Sequence, residues 1–309
     1  MPRRKRPYPT SPLHPGTWGQ YVTLGLTWLV ARLPWRLATG GGAWLGRLGY
    51  HLAPTRRAVA RRNLELCFPD MDAARREALV RENFAFTGRG LVEVALGWYG
   101  GRQIDRIPVE IRGLEHLETA HADGRPVIFL SGHFTPVELA ARLLGRRVRV
   151  AAIYKPIRKK PLLDAAMLRA RRRNVEGAYA RDDVRGIVRS LRKGTPVWYA
   201  GDQDYGRRHS VFAPFFGVPA ATVTALSRLA RMSGARVVPL FFNARRDRPG
   251  YEIIFEPALE DFPSGDDVAD ATRMNQVVET AVRRHPEQYL WIHRRFKRQP
   301  DPDTWLYRQ

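Results

Sequence analysis

From residue 109 onward, short apolar runs alternate with segments of helical period, and this alternation restricts the fold more than any other feature of the chain. VIFLS (127–131), RVRVAAIY (ending at Tyr154), PVWYA (196–200), VVPLFF and YEIIFEP read as strands, being short, β-branched or aromatic, and bounded by Gly, Pro or polar residues. Between them, a helix is expected from Pro136. VRGIVRSLRKG places Val184, Ile187, Val188 and Leu191 on one face and stops at Gly194. ATVTALSRLARMSG and the stretch from near Asp266 to Arg284 complete the helical set. Residues 40–100 read as helices, with apolar spacings of three and four and no strand alternation. The expected fold is an α/β sandwich with a central mixed sheet and helices on both faces. No linker divides the middle of the chain and no internal repeat is present. The expected division is therefore an amino-terminal basic segment and membrane anchor, residues 1–38, and one main domain, residues 39–309.

Within that pattern, VIFLS ends at Gly132, and His133 follows in the turn to the next helix. Open α/β sheets place reactive groups at this point, outside the carboxyl end of a strand. An imidazole there can take a proton from a hydroxyl if a partner holds its other nitrogen, and Glu138, one short loop and one turn on, is placed to do so. The same residues have a plainer reading. Thr135 as N-cap, Pro136 at the first helical position and Glu138 at the third make a capping box, which needs no chemistry. Asp202 and Gln203 follow a second strand, PVWYA. After Gly201, Asp202 could bind a metal, cap the next turn or orient an arginine. Arg171 and Arg173 lie on a basic helix between the two strands, where a solvated face is the usual fate of a charge run. The chain contains no HExxH spacing, P-loop, GxGxxG or GxSxG elbow, which counts against zinc proteases, nucleotide enzymes and serine hydrolases.

The chain has 309 residues, is 44% hydrophobic and carries a formal net charge of +22, enough core for one large domain and a surface that attracts polyanions. Nucleic acid, anionic lipid headgroups and an acidic carrier protein all satisfy that charge, but no zinc-finger spacing, basic heptad region or aromatic ribonucleoprotein motif is present. The one cysteine, Cys67, sits in an apolar helical pattern and reads as a packed thiol. A cytoplasm-facing protein fits this usage. Residues 16–31 are uncharged and are flanked by Arg3, Arg4, Lys5 and Arg6 on one side and by Arg32 and Arg36 on the other. The tract is marginal for a transmembrane helix, which needs about 20 apolar residues. Two expectations stand: a short single-pass anchor, or a helix dipping into one leaflet with Trp18, Tyr21, Trp28 and Trp35 at the interface.

Several segments resemble the late acyltransferases of lipid A biosynthesis, within the lysophospholipid acyltransferase-like superfamily. They are LHPGTWG, RRNLELCFPDMDAARREALVRENF, GHFTPVELAAR, ARDDVRGIVRSLRKGTPVWYAGDQDYG, ARMSGARVVPLFF and PEQYLWIHRRFK, which together span nearly the whole chain. The similarity is greatest to the lauroyl and palmitoleoyl branch acting on Kdo2-lipid IVA. The resemblance implies transfer of a fatty acyl group from acyl carrier protein to a hydroxyl of an anionic glycolipid, at the cytoplasmic face of the bacterial inner membrane. It implies no metal or redox cofactor. The family's histidine and acidic residue match His133 and Glu138, and its arginine and aspartate match Arg171 and Asp202. Arg173, Arg181 and Gln203 are expected to join them in substrate binding. Two departures are visible: Thr-Pro follows GHF, and the tyrosine-arginine-proline motif reads Tyr154-Lys155-Pro156, where lysine lacks the bidentate fork. The competing readings are an acyltransferase acting on another lipid, such as a phosphatidylinositol mannoside or lysophospholipid, and a basic nucleic-acid-binding protein with no nucleic-acid module to support it.

Overall fold

All five side chains of the strand Val127–Ser131 are buried, so this strand must be covered on both faces. A computed structural model describes residues 14–307; the basic run Arg3, Arg4, Lys5 and Arg6 lies outside the described residues. In chain order the elements are α1 (Pro15–Val30), α2 (Trp35–Leu52), α3 (Pro54–Cys67), α4 (Ala73–Tyr99), β1 (Val109–Arg112), α5 (Leu114–His121), β2 (Val127–Ser131), α6 (Val137–Leu144), β3 (Ala151–Tyr154) and α7 (Pro161–Asn174). They continue with β4 (Gly177–Ala180), α8 (Val184–Arg192), β5 (Val197–Ala200), β6 (Ser210–Phe215), β7 (Val218–Val223), α9 (Ala225–Ser233), β8 (Arg236–Ala244), β9 (Tyr251–Phe255) and α10 (Asp267–Arg284).

Seven strands form one sheet in the order β1-β9-β8-β2-β5-β3-β4, and β6–β7 is a separate hairpin. Within the large sheet only the β8–β9 pair is antiparallel, so the sheet is mixed and mostly parallel. The period-2 alternation of β2 divides its side chains between two cores. Val127 and Phe129 pack with Leu139 and Leu143 of α6 and Leu96 of α4. Ile128 and Leu130 pack with Ile187 and Leu191 of α8, Leu226 and Leu229 of α9, and Met274 of α10. Central β2 is also where the strand order reverses, because β3 to β5 lie on one side of it and β8 and β9 on the other. The crevice outside its carboxyl end is the expected position for a site.

The sequence and the structure part at some boundaries. Only Ala151–Tyr154 of RVRVAAIY is strand. Of ATVTALSRLARMSG, residues 221–223 belong to β7 and the helix begins at Ala225. The hairpin uses β-branched and small residues that also fit a helix start, and only its partner strand decides between them.

No helix among the described residues is long and apolar enough to cross a membrane, which corrects the single-pass expectation. The 16 residues of α1 reach about 24 Å at ~1.5 Å per residue, against a hydrocarbon core of about 30 Å. Its polarity is inverted relative to an ordinary surface helix. Thr17 and Gln20 face inward, while Trp18, Val22, Leu26 and Leu29 are exposed. Gln20 accepts the Leu162 backbone N–H of α7 at 3.1 Å through its Oε1. Trp35, expected at an interface, instead packs against Tyr251 with ring centroids 6.5 Å apart.

Helix α2 buries small residues, Ala38, Thr39, Gly42 and Gly46, against α4. A Cβ on Gly88 would lie 2.2 Å from the Gly42 carbonyl oxygen, and one on Gly46 would lie 2.1 Å from that of Phe84. Alanine is favoured over glycine in a helix by about 1 kcal/mol, whereas forcing atoms into a packed contact typically costs about 1–3 kcal/mol. Here the obstructing atom is backbone, which has little room to move. Gly88→Ala is therefore expected to lower the thermal unfolding temperature by several degrees. An unchanged or raised melting temperature would show that the α2–α4 crossing is not the tight contact described.

Candidate active site

Strands β2 and β5 are parallel neighbours with Ser131 opposite Ala200. Two residues beyond each strand end, the same offset of 69 brings His133 against Asp202. The imidazole Nδ1 lies 2.5 Å from Asp202 Oδ1, and the His133 backbone N–H donates to Oδ2 at 2.9 Å. Both carboxylate oxygens are thus engaged by one residue, which fixes the ring's rotation and its Nδ1–H tautomer. Asp202 is 1% exposed while the His133 side chain is 27% exposed. Among the described residues Nε2 has no hydrogen-bond partner, and His133 lines an apolar cavity.

Burial disfavours the charged ring, but the Asp202 charge and hydrogen bond outweigh it and leave the His133 pKa above its ordinary 6.5. Burial would likewise raise the Asp202 carboxyl. The His133 charge, its two hydrogen bonds and the Tyr289 hydroxyl together hold it well below the usual carboxylate range. A buried pair of this kind keeps the carboxylate ionised and makes the imidazole a stronger base.

Glu138 does not occupy the place expected for it. It accepts from Arg171 Nη2 and Nε of α7 and from the Trp98 indole N–H of α4 at 3.1 Å. The His133 partner is therefore Asp202 in place of Glu138. The physical reason is directional: Glu138 points across to α4 and α7, while the β2–β5 register delivers Asp202 to the ring. The close approach that lets Trp98 reach Glu138 depends on Gly97, where a Cβ would sit 2.7 Å from the Glu138 carbonyl oxygen. The capping box is absent as well. α6 begins after Pro136 with no side-chain cap, and the Thr135 hydroxyl is buried without a partner. Both Glu138 and Arg171 are mostly buried, at 13% and 15% exposed, and the Arg171 guanidinium lies 5.8 Å from the centre of the Tyr154 ring.

The cavity has a volume of about 990 Å³. Its interior is largely apolar, with Val94, Ile153, Met167, Ile187, Trp198 and Leu229 among its walls. The polar groups that line it include His133, Glu138, Arg171, Arg181 and Gln203. Arg181 lies over the Tyr205 ring at 5.1 Å, and Tyr205 donates to Gln203 at 3.5 Å. Arg173 is not part of the lining: it is exposed and donates to the Trp98 carbonyl at 2.9 Å, because it lies two residues round the helix from Arg171.

A carboxy-terminal brace was not foreseen. Thr135 N–H donates to the Gln288 carbonyl at 2.9 Å and Leu290 N–H to the His133 carbonyl at 3.1 Å. Asn83 of α4 holds the carbonyls of Glu287 and Tyr289, and Asn63 of α3 holds those of Trp291 and His293. His293 accepts the Asp204 N–H at 3.4 Å through Nε2, and burial pushes its pKa down to about 4, so it is neutral near pH 7. The available signal was the presence of two asparagines inside helical segments, where Asn is a poor helix former and its burial needs partners.

Among known proteins, the family profile described as bacterial lipid A biosynthesis acyltransferase matches residues 7–298. The Escherichia coli (strain K12) lipid A biosynthesis lauroyltransferase is 39% identical over 95% of this chain and 96% of its own length. The palmitoleoyltransferase of the same strain is 38% identical over 96% of both chains. A lipid A biosynthesis acyltransferase of Haemophilus influenzae is 34% identical over 94% of both.

The pair generates a titration prediction. Asp202→Asn removes the charge but leaves burial, so the His133 pKa is expected to fall from above 6.5 to below it. Following the ring proton by NMR across pH 4–9 measures this, and an unmoved pKa would exclude Asp202 as its partner. Stability follows the same signs. The raised histidine contributes fully below its ordinary 6.5 and loses that contribution as pH rises through the folded value. The depressed aspartate contributes above its ordinary 3.8 and loses it on acidification towards the folded value.

Proposed function

This chain belongs to the bacterial lipid A biosynthesis acyltransferases, and from that premise we propose how its site transfers an acyl group and where it works. The donor is an acyl thioester on acyl carrier protein, and the acceptor is a hydroxyl of a Kdo2-lipid IVA-type precursor, with a lauroyl-class chain seated in the apolar cavity. His133 Nε2 removes the hydroxyl proton as the oxygen attacks the thioester carbonyl. Asp202 holds the opposite nitrogen and stabilises the imidazolium that forms. The thiol leaves with the proton from His133, and the thioester needs no covalent enzyme intermediate because it is already activated. Glu138, itself held by the Trp98 indole N–H, holds Arg171 on the cavity wall, where its charge stabilises the negative charge developing on the thioester oxygen. The observation that carries this reading is the oriented imidazole, with a free Nε2, opening into a cavity large and apolar enough for a fatty chain.

The double-mutant pattern separates the two carboxylates. His133→Ala is expected to reduce turnover about a hundredfold to ten-thousandfold, and adding Asp202→Asn to it should cost little more, because the two act as one unit. Glu138→Ala should cost activity through Arg171, so that Glu138→Ala/Arg171→Ala is no worse than the poorer single variant. The pH–rate profile should shift in Asp202→Asn and keep its shape in Glu138→Ala. A shifted profile in Glu138→Ala with none in Asp202→Asn would reverse the assignment.

The same reading places the protein at the cytoplasmic face of the inner membrane, held there without spanning it. Trp18, Val22, Leu26 and Leu29 of α1 and Leu37, Trp44, Leu45, Leu48 and Leu52 of α2 are all exposed. On α2 they recur at helical spacing opposite the small-residue face packed on α4. Leu91 of α4 is 72% exposed and also lines the catalytic cavity, so the apolar surface leads to its mouth. Helices that bury polar residues and expose leucine and tryptophan suit insertion into one leaflet. The membrane-contacting part in this reading extends beyond residues 1–38 to α2 and α4. Replacing Leu37, Trp44 and Leu48 together by serine is expected to shift the protein from sedimenting with liposomes to the supernatant while activity on detergent-dispersed acceptor is largely kept. Full liposome retention would move the membrane face elsewhere.

A further inference from the structure

A second cavity of about 500 Å³ adjoins the first and shares Lys155, Arg181 and Tyr205 with it. Its character is the opposite. Arg56, Lys155, Arg181, Arg294, Lys297 and Arg298 line it, and Asp204 is the one carboxylate among the described residues of its lining. That carboxylate is already committed to Arg298 at 2.6 Å. The other guanidiniums are held in place: Arg56 donates to the Ile292 carbonyl at 3.2 Å, Arg294 lies 5.7 Å from the centre of the Trp305 ring, and Arg181 lies over Tyr205. Lys155 and Lys297 have no ion-pair partner among the described residues. Six cations facing one neutralised carboxylate repel one another unless an anion joins them.

The position of this cavity is as informative as its charge. Asp204, on its wall, follows Asp202 by two residues. His293, also on its wall, joins Asp204 to the segment whose Leu290 grips the His133 loop. An anion held here therefore sits against the turn that carries Asp202 and the segment that braces the His133 loop, next to the apolar chain cavity. A phosphate monoester suits it better than a carboxylate, carrying roughly −1.5 to −2 charge at neutral pH with three acceptor oxygens.

We propose that the second cavity is a subsite for a phosphate group of the acceptor lipid, with Lys155 and Lys297 as its free ammonium contacts and the pinned arginines as its frame. This rests on the acyl-transfer reading above and adds the means by which the acceptor is registered against His133. It also gives the Tyr154-Lys155-Pro156 motif a use for lysine: a flexible point charge serves a phosphate without a planar fork.

The test is steady-state kinetics of the full chain in detergent micelles, varying the thioester donor and the acceptor separately. The acceptor is used both intact and after phosphatase treatment. Lys297→Gln and Lys155→Gln/Lys297→Gln are expected to raise KM for intact acceptor by about tenfold or more, in line with losing a hydrogen bond to a charged group. The donor KM should move much less, and Lys297→Arg should recover most of the loss. Phosphatase-treated acceptor should show the raised KM with wild type and no further rise with the variants. Inorganic phosphate should compete with the acceptor in wild type and lose potency in the variants. An unmoved acceptor KM, or a rise confined to the donor, whose prosthetic arm also carries a phosphate, would overturn the subsite while leaving acyl transfer standing. A wild-type chain that acylates no lipid hydroxyl would overturn both.

Discussion

The parallel pairing of β2 with β5 is the constraint on which the site depends. A register of Ser131 opposite Ala200 carries two turns out of the sheet in step, so that the residue after Gly132 meets the residue after Gly201. Slipping the pairing by one residue would invert the alternation of β2, exchanging the side chains that face α4 and α6 with those that face α8, α9 and α10. Because both faces are packed, the register is held by the whole core, and the His133–Asp202 geometry inherits that rigidity. A buried carboxylate at 1% exposure is tolerable only because both oxygens are bonded, and the partner that bonds them is the one that uses its charge.

Around that pair the molecule separates two roles that lie within one compact motif of the sequence. His133 and Glu138 lie five residues apart but serve different neighbours, one across the sheet and the other across to α4 and α7. Arg171 is thereby placed by Glu138, which Trp98 in turn holds, while the carboxy-terminal segment braces the histidine loop. Asn63 and Asn83 each hold two carbonyls of that segment, so two helices early in the chain fix a turn formed at its end.

The apolar exterior of α1 and α2 follows from the same economy of space. The α2–α4 crossing is so close that it admits only glycine at Gly46 and Gly88, and the larger residues of α2 are left to face outward. A water-facing helix would carry charge at those positions. Here the cation-rich wall of the second cavity and the apolar helices suit the two ends of an amphiphile, a charged head and a hydrocarbon chain, brought together at one histidine.

Much of this was legible in the sequence: the α/β alternation, the helices of residues 40–100, the strand-to-turn position of His133, and the uncharged tract that became α1. These follow from local periodicity and from turn residues, which act within a few positions along the chain. Glu138 was assigned to His133 because nearness in sequence stood in for nearness in space, and a capping box was read at Thr135 for the same reason. Signals comparable to SGH existed in AGD, since both set a polar residue one glycine beyond a strand, but nothing local says that the two strands are neighbours. Tertiary structure alone decided that Asp202 orients the imidazole, that Arg173 turns away from the cavity, that Trp35 packs inward, and that α1 is too short to span a bilayer while presenting its apolar face outward. Each of those depends on strand order, register or helix packing, contacts between residues tens to hundreds of positions apart, whose energies no single segment contains.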